Sequence, residues 1–279
     1  MFKQIKIIAS LFLLISQKGV CQFYYSDIVA TRIANKNYAI LKNNRIKKIS
    51  TINATKNNEG RENVSITQLF SANWETLRTS SILATGIKSS STTFYQNNKI
   101  LKKEDEVKNV NSLLRYGYDT DEKLISLISS SIDTTVFDGF FEKHFFTYDS
   151  KGLPTSMLKI KNEDDTTFVN FFKDEQGNIA EEKWVHNNEI IETYYYYYNE
   201  KNWLSDIVKF NLKVGKMLPE FLFEYDANGN LEKMTQIPFG SSNYFVWHYI
   251  YDDKNLKQAE FCYSKKNELI GKLEYQYQY

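Results

Sequence analysis

From about residue 108 to the C-terminus, apolar and polar side chains alternate in runs that repeatedly end on an aromatic pair and a polar turn. Alternation with period two sends successive side chains to opposite faces and predicts β-strands. Tyr118-Asp-Thr-Asp-Glu-Lys-Leu124, Tyr198-Asn-Glu-Lys-Asn-Trp-Leu204, Tyr225-Asp-Ala-Asn-Gly-Asn-Leu231 and Tyr263-Ser-Lys-Lys-Asn-Glu-Leu269 share one frame. Tyr148-Asp-Ser-Lys-Gly-Leu153 and Tyr251-Asp-Asp-Lys-Asn-Leu256 are one residue shorter, and Lys173-Asp-Glu-Gln-Gly-Asn-Ile179 keeps the frame without the aromatic. Asp or Asn at the second position bonds its own backbone two residues on, and Gly or Asn later in the frame accepts positive φ, so each frame predicts a hairpin connection. A second aromatic stands two positions before each turn: Tyr116, Phe146, Phe171, Tyr196, Phe223, Tyr249 and Phe261. Residues two apart share a face, which predicts an aromatic ladder running from strand to strand.

Starts at 118, 148, 173, 198, 225 and 251 lie 25 to 30 residues apart, the length of two strands of about ten residues with a turn at each end. The opposite turns are expected at Asn162-Glu-Asp-Asp165, Asn187-Asn188, Val214-Gly215 and Phe239-Gly-Ser-Ser242. Only twelve residues separate the frames at 251 and 263, so Ser264 to Glu268 is expected to turn at the opposite end, with Leu269 to Tyr279 as a terminal capping strand. Towards the N-terminus, Tyr95-Gln-Asn-Asn-Lys-Ile100 and Leu41-Lys-Asn-Asn-Arg-Ile46 read as degenerate copies of the hairpin. Lys56 to Asn63 and Lys88 to Ser91 read as polar loops, and Ser26-Asp27 as the cap of a short helix running to about Asn37. The expected organisation is a signal peptide over 1–21, an irregular β region with a short helix over 22–107, and hairpin repeats over 108–279. The fold class is all-β: tandem antiparallel hairpins in a continuous meander, forming one curled or elongated sheet.

Lys3 and Lys6 precede the apolar run Ile7 to Ile15, which stops at Ser16-Gln17-Lys18. Nine residues are too few for a bilayer, which needs about 20, so the segment reads as a cleavable export signal with the cut before Gln22. Lipid attachment at Cys21 is disfavoured by Val20 and Lys18 at the positions that should be small and aliphatic. Removing 1–21 takes away Lys3, Lys6 and Lys18 and no acid, which moves the formal net charge from +1 to −2. That balance gives no footprint for nucleic acid. Cys262 is then the single cysteine left, so neither an internal disulfide nor a multi-cysteine metal site is expected. Twenty Tyr and nineteen Phe against eleven Gly and three Pro favour packed, pleated sheet. No apolar stretch after residue 21 approaches membrane-spanning length, so no transmembrane segment is expected once the signal is removed.

The Tyr-Asp-x-x-Gly-Asn-Leu frame, best preserved at Tyr225 to Leu231 and present over about 116–279, resembles the YD repeats of RHS-type proteins and of short signal-bearing proteins of the Bacteroidetes. The resemblance implies a continuous, curling β-sheet in a cell-surface or periplasmic setting. The chain departs from the large RHS proteins in lacking an RHS core motif and a variable toxin domain, so their chamber is not implied.

Chemistry is sparse. His144, His186 and His248 lie in strand context at intervals of 42 and 62 residues, out of phase with any one repeat, and read as strand residues rather than as a catalytic or metal site. Asp226, Asn228 and Asn230 place oxygens at alternate positions, as calcium loops do, but lack the later bidentate Glu, and hairpin turns use the same residues, as do Asp119 to Asp121 and Glu163 to Asp165. No metal or cofactor is therefore expected. The aromatic runs Tyr194, Tyr196, Tyr198 and Tyr225, with Trp247, Tyr249 and Tyr251, are the candidate ligand contacts, weighed against their use as core. An outer-membrane barrel competes on the alternating end Leu273, Tyr275, Tyr277 and Tyr279. Against it, Glu181 and Lys183 charge one face of their strand and Glu182 the other.

These readings point to a secreted, periplasmic or cell-surface protein without catalysis, acting in binding or as an envelope scaffold with an envelope protein or a glycan as partner. The alternatives are a carrier of an apolar ligand in an aromatic-lined curl, or an enzyme whose site is assembled from several hairpins around one of the histidines.

Overall fold

The computed structural model describes residues 25–53, 65–82, 86–136, 138–211, 215–238 and 241–279. The expected signal peptide and the loop at 56–63 lie outside them, as do Val214, Phe239 and Gly240. One helix, α1 (Tyr25–Asn43), precedes eighteen strands. They are β1 (Lys48–Asn53), β2 (Ser65–Phe70), β3 (Thr76–Ile82), β4 (Lys88–Gln96), β5 (Lys99–Val107), β6 (Val110–Tyr118), β7 (Leu124–Asp133), β8 (Asp138–Tyr148), β9 (Pro154–Lys161), β10 (Asp165–Lys173), β11 (Ile179–His186), β12 (Glu189–Tyr198), β13 (Leu204–Asn211), β14 (Lys216–Tyr225), β15 (Leu231–Gln236), β16 (Phe245–Tyr251), β17 (Lys257–Ser264) and β18 (Leu269–Gln278). Each strand pairs antiparallel with the next, and β18 pairs with β1 through Thr51↔Tyr275 and Ser50↔Gln276. The meander is therefore a closed up-and-down barrel. The expected capping role of β18 is replaced by closure, which leaves no strand edge for another chain to pair with.

The repeat frames make one turn, used six times at one end of the barrel. In the turn at 226, Asp226 donates its N–H to Asn230 O, and Gly229 donates to Asp226 O. Asp226 Oδ1 accepts from the N–H groups of Asn228 and Asn230 at 2.9 and 2.8 Å. The fifth residue is left-handed in every frame: Glu122, Gly152, Gly177, Asn202, Gly229, Asn255 and Asn267. This is a three-residue hairpin loop closed by a positive-φ residue. The seventh copy, Ser264 to Asn267, lies at the opposite end, as expected. Its aromatic partner Phe261 consequently stands opposite His248 on the outer wall, away from the buried Cys262 beside it. Tyr116, Phe146, Phe171, Tyr196 and Tyr249 point inward and are buried.

Neighbouring hairpins splay at the repeated-turn end. Pairing of β7 with β8 ends at Ser126↔Phe145, of β9 with β10 at Ser156↔Asn170, and of β13 with β14 at Asp206↔Leu222. The frame tyrosine crosses the gap. Tyr118, Tyr148, Tyr198 and Tyr225 donate their hydroxyls to the backbone oxygens of Ile100, Leu124, Ile179 and Leu204 at 3.0, 2.6, 2.9 and 2.8 Å. Tyr277 does the same to Lys257 at 2.7 Å. A phenylalanine would pack equally well and leave the carbonyl unpaired, so the hydroxyl explains why the frame begins with tyrosine. Where the frame carries Lys173, its ammonium ion-pairs with Asp149 of the preceding turn.

Three N-terminal expectations are corrected. Leu41 to Ile46 is the end of α1, closed by left-handed Arg45 with Ile46 N–H donating to Leu41 O, the usual geometry of a helix stop. The helix therefore runs six residues past Asn37. Lys88 to Ser91 opens β4 instead of forming a loop. Its serines pair with those of β3, Ser81 and Ser89 hydroxyls meeting at 2.5 Å, so tertiary pairing overrides weak strand propensity. Tyr95 to Ile100 is a hairpin, but it turns on two left-handed residues, Asn97 and Asn98.

Candidate functional site

α1 lies against the inner face of the ring, with Thr31 and Tyr38 buried and Ile33 on its open side exposed. Tyr25, Ile28, Ala34, Tyr38 and Leu41 all pack on the main core; at 100° per residue Tyr25 and Ile28 lie on one side of the helix and Ala34, Tyr38 and Leu41 on the opposite side. At 19 residues the helix is about 28 Å long, and it touches strands from opposite sides of the ring. Near its C-terminus, Tyr38 stacks on Tyr95 of β4 at 3.8 Å and donates its hydroxyl to Trp74 O at 2.7 Å. Near its N-terminus, Tyr25 meets Tyr196 of β12 edge-on at 5.2 Å and lies 6.3 Å from Phe171 of β10.

Two buried carboxylates tie the helix to the wall. Fully buried Glu182 accepts from the Tyr25 backbone N–H at 2.9 Å, from the Tyr196 hydroxyl at 2.5 Å and from Trp184 Nε1 at 2.5 Å. Burial and the neighbouring Glu182 charge raise the Tyr196 hydroxyl well above its ordinary range. Glu142 Oε1 lies 2.8 Å from His144 Nε2, while His144 Nδ1 lies 2.7 Å from Asp27 of α1, and Lys159 stands 3.2 Å from Glu142. Burial by itself would lower the His144 pKa, but the Asp27 and Glu142 carboxylates outweigh it and hold the pKa at about 9. At neutral pH the ring is an imidazolium, with both N–H groups donating to carboxylates. Asn35, midway along the helix, accepts the Ile100 backbone N–H at 3.0 Å where β5 has left β6.

The seven aromatics singled out in the sequence fall into two groups. Tyr194, Tyr196 and Tyr198 belong to the cluster that holds α1, so part of this surface meets the chain's own helix. Trp247, Tyr249 and Tyr251 lie with Met234 and Cys262 in a second cluster on β15 to β17. Tyr225 is half-buried, tied to Leu204 O and packed 5.4 Å from Trp203. In the second cluster, Trp247 Nε1 and the Tyr249 hydroxyl are buried with no hydrogen-bond partner. Burial and nearby Glu260 push the Cys262 thiol up to about 12, which makes it unreactive. The other histidines are dispersed: His186 lies 2.8 Å from Thr166 O, and His248 sits edge-on to Tyr263. In the turns with candidate calcium ligands, Asp226 Oδ1 is taken by backbone N–H groups.

Sequence reasoning missed the Asp27–His144–Glu142 chain and the cradle around Glu182. The signal available was a charged residue on each face of a strand, Glu142 and Lys143, Glu182 and Lys183, where alternation alone would place an apolar residue inward.

The outer wall carries the ion pairs Lys102–Glu104, Lys183–Glu181, Lys233–Glu224 and Lys272–Glu274. Between β3 and β6, at the split seam, a cleft of about 490 Å³ opens beside Phe94, Lys102 and Arg115. No helix among the described residues is long and apolar enough to cross a membrane.

No protein-family model matches the sequence, and no curated protein matches it. Solved structures similar to this chain include two porin-like proteins of Bacteroides. The one from Bacteroides uniformis is 8% identical over 84% of this chain and 98% of its own, with a TM-score of 0.39. The one from Bacteroides vulgatus is 11% identical over 84% and 98%, with a TM-score of 0.34. The TcdB2-TccC3-Cdc42 structure aligns with 80% of this chain and 19% of that chain at 8% identity and a TM-score of 0.31.

Proposed function

We propose that this chain is a non-catalytic envelope barrel of short YD-type hairpin repeats, exported through a signal over 1–21, that acts by binding on its outer wall and does not conduct through its lumen. The observation that carries the reading is the seating of α1 inside the ring, where Glu182, His144 and Tyr95 hold it. The helix and the buried aromatics occupy lumen space that a conducting pore would need. The outer wall supports the same reading, since a cation facing lipid at the midplane costs roughly 2 to 4 kcal/mol, and Lys183 and Lys272 stand near mid-strand with acids beside them. His144 is the one histidine set between two carboxylates, and both of its ring nitrogens are engaged, leaving no atom to exchange a proton with a substrate.

The test is to export the protein, purify it without detergent and add it to planar bilayers. The expected result is a soluble, monodisperse protein that produces no stepwise conductance. A stable conductance, or solubility only in detergent, overturns the reading.

A further inference from the structure

The splayed seams are not equivalent on their outer face. At the last paired position before each split stand Ser126↔Phe145, Ser156↔Asn170, Glu181↔Tyr195, Asp206↔Leu222, Lys233↔His248 and Ala259↔Glu274. At the β5–β6 seam the pair is Lys102↔Arg115, two full cations directly opposite each other. Like charges facing across a ladder are destabilising, and the cleft of about 490 Å³ lies against this pair. Lys102 is partly answered by Glu104 at 2.7 Å and by the Phe94 ring, whose centroid is 4.1 Å from its ammonium. Arg115 is exposed and presents its planar fork to solvent.

From the β5–β6 cleft we infer a binding site for a carboxylate-bearing saccharide, a ligand of uronate type. This assignment rests on the reading of the protein as an envelope binder and names the surface and the ligand class. The Arg115 guanidinium matches a carboxylate in two-point geometry. Thr76, Gln96 and Glu75 border the same cleft and supply both donors and acceptors, which suits hydroxyls better than an apolar ligand. Phe94 and Leu101 give an apolar floor for the C–H face of a sugar ring. Glu75 sets the charge limit: a carboxylate at the margin tolerates a monoanion and repels a phosphate dianion. The volume falls within the range of about 300–1,000 Å³ usual for small-molecule sites.

The experiment titrates the purified full-length exported protein by calorimetry with methyl galacturonoside, which carries a single carboxylate, the neutral methyl galactoside and inorganic phosphate. The expected result is saturable binding of the uronate, at least tenfold tighter than either comparison ligand. Arg115→Ala should weaken it tenfold or more with a melting temperature unchanged or slightly raised, since Arg115 is exposed and faces Lys102, while Lys233→Ala on the far wall should leave binding unchanged. Equal affinity for the neutral sugar or for phosphate, no saturable binding, or full affinity in Arg115→Ala would overturn the assignment. Because conductance is measured separately, a silent, soluble barrel that ignores uronate refutes the cleft alone, whereas a conducting one refutes the parent reading.

Discussion

At one end of the barrel Asp149, Asp174, Asn199, Asp226 and Asp252 fold the chain through the same three-residue loop, each Oδ1 accepting two backbone N–H groups. At the other end one copy of the frame, Ser264 to Asn267, stands among turns on Asn187–Asn188, on Asn162–Glu163, on Lys108 and on Gly215 that share no frame with it. The turns of the first end also touch one another: Asn178 Nδ2 donates to Asn202 Oδ1, Asn230 Nδ2 donates to Asn255 Oδ1, and Trp203 packs over Gly229. The hydroxyl ties of the frame tyrosines and the seat of the C-terminal half of α1 lie at this end too. Six of the seven repeat frames therefore lie at one end of the hairpins, where each turn must fit the next, while most of the opposite turns answer only to their own strands.

The largest effect concerns the helix seat. His144 has a folded pKa of about 9 against an ordinary 6.5, so its contribution is fully present below pH 6.5 and disappears as pH rises through 9. The expected loss is on the order of 3 kcal/mol, read as a falling melting temperature between pH 6.5 and 9.5. His144→Gln should abolish that slope. A wild-type melting temperature that is flat across this range would show that the imidazolium does not hold α1.

Next is the contrast between two left-handed glycines. A Cβ on Gly229 would sit 3.1 Å from the Trp203 ring, whereas one on Gly215 meets nothing within 4 Å. Gly215→Val should cost about 1–2 kcal/mol from backbone strain alone. Gly229→Val should cost about 1 kcal/mol more, and equal losses in denaturant melts would mean that the turns do not stack. Smaller again, Asp226→Ala removes the acceptor of two N–H groups and should cost about 1–2 kcal/mol. Asn188→Gly at the opposite end should change stability by a few tenths, since Asn-Gly is a favoured two-residue turn. Of the expected losses at the repeated-turn end the smallest is Tyr148→Phe, which should cost about 1 kcal/mol by leaving the Leu124 carbonyl unpaired. A variant as stable as the parent would reduce the frame tyrosine to a packing residue.

What was legible in the sequence follows the range of the interactions. The seven frames could be read because Asp, Gly and Asn act on their own backbone within four residues, and the inward aromatics because strand alternation is local. Closure could not be read, since Thr51 and Tyr275 come from opposite ends of the chain and nothing local marks them as partners. The role of the Tyr148 hydroxyl was hidden for the same reason: its acceptor lies 24 residues earlier. Tyr194 and Tyr196 stood out as an aromatic run, but the occupant above them, α1, is weakly apolar and meets the wall as much through Asp27 and Asn35 as through its apolar side chains. The cleft at β5–β6 was invisible because Lys102 and Arg115 become neighbours only in register.

The central claim is a closed ring around its own helix, and hydrogen exchange read residue by residue tests it most directly. The account predicts that the amides of Ile49–Thr51 and Tyr275–Tyr277 are protected as strongly as those of β10 and β11, with the α1 amides protected alongside them. Exchange of β1 and β18 at the rate of free edge strands, or of α1 at the rate of an unattached helix, would contradict it.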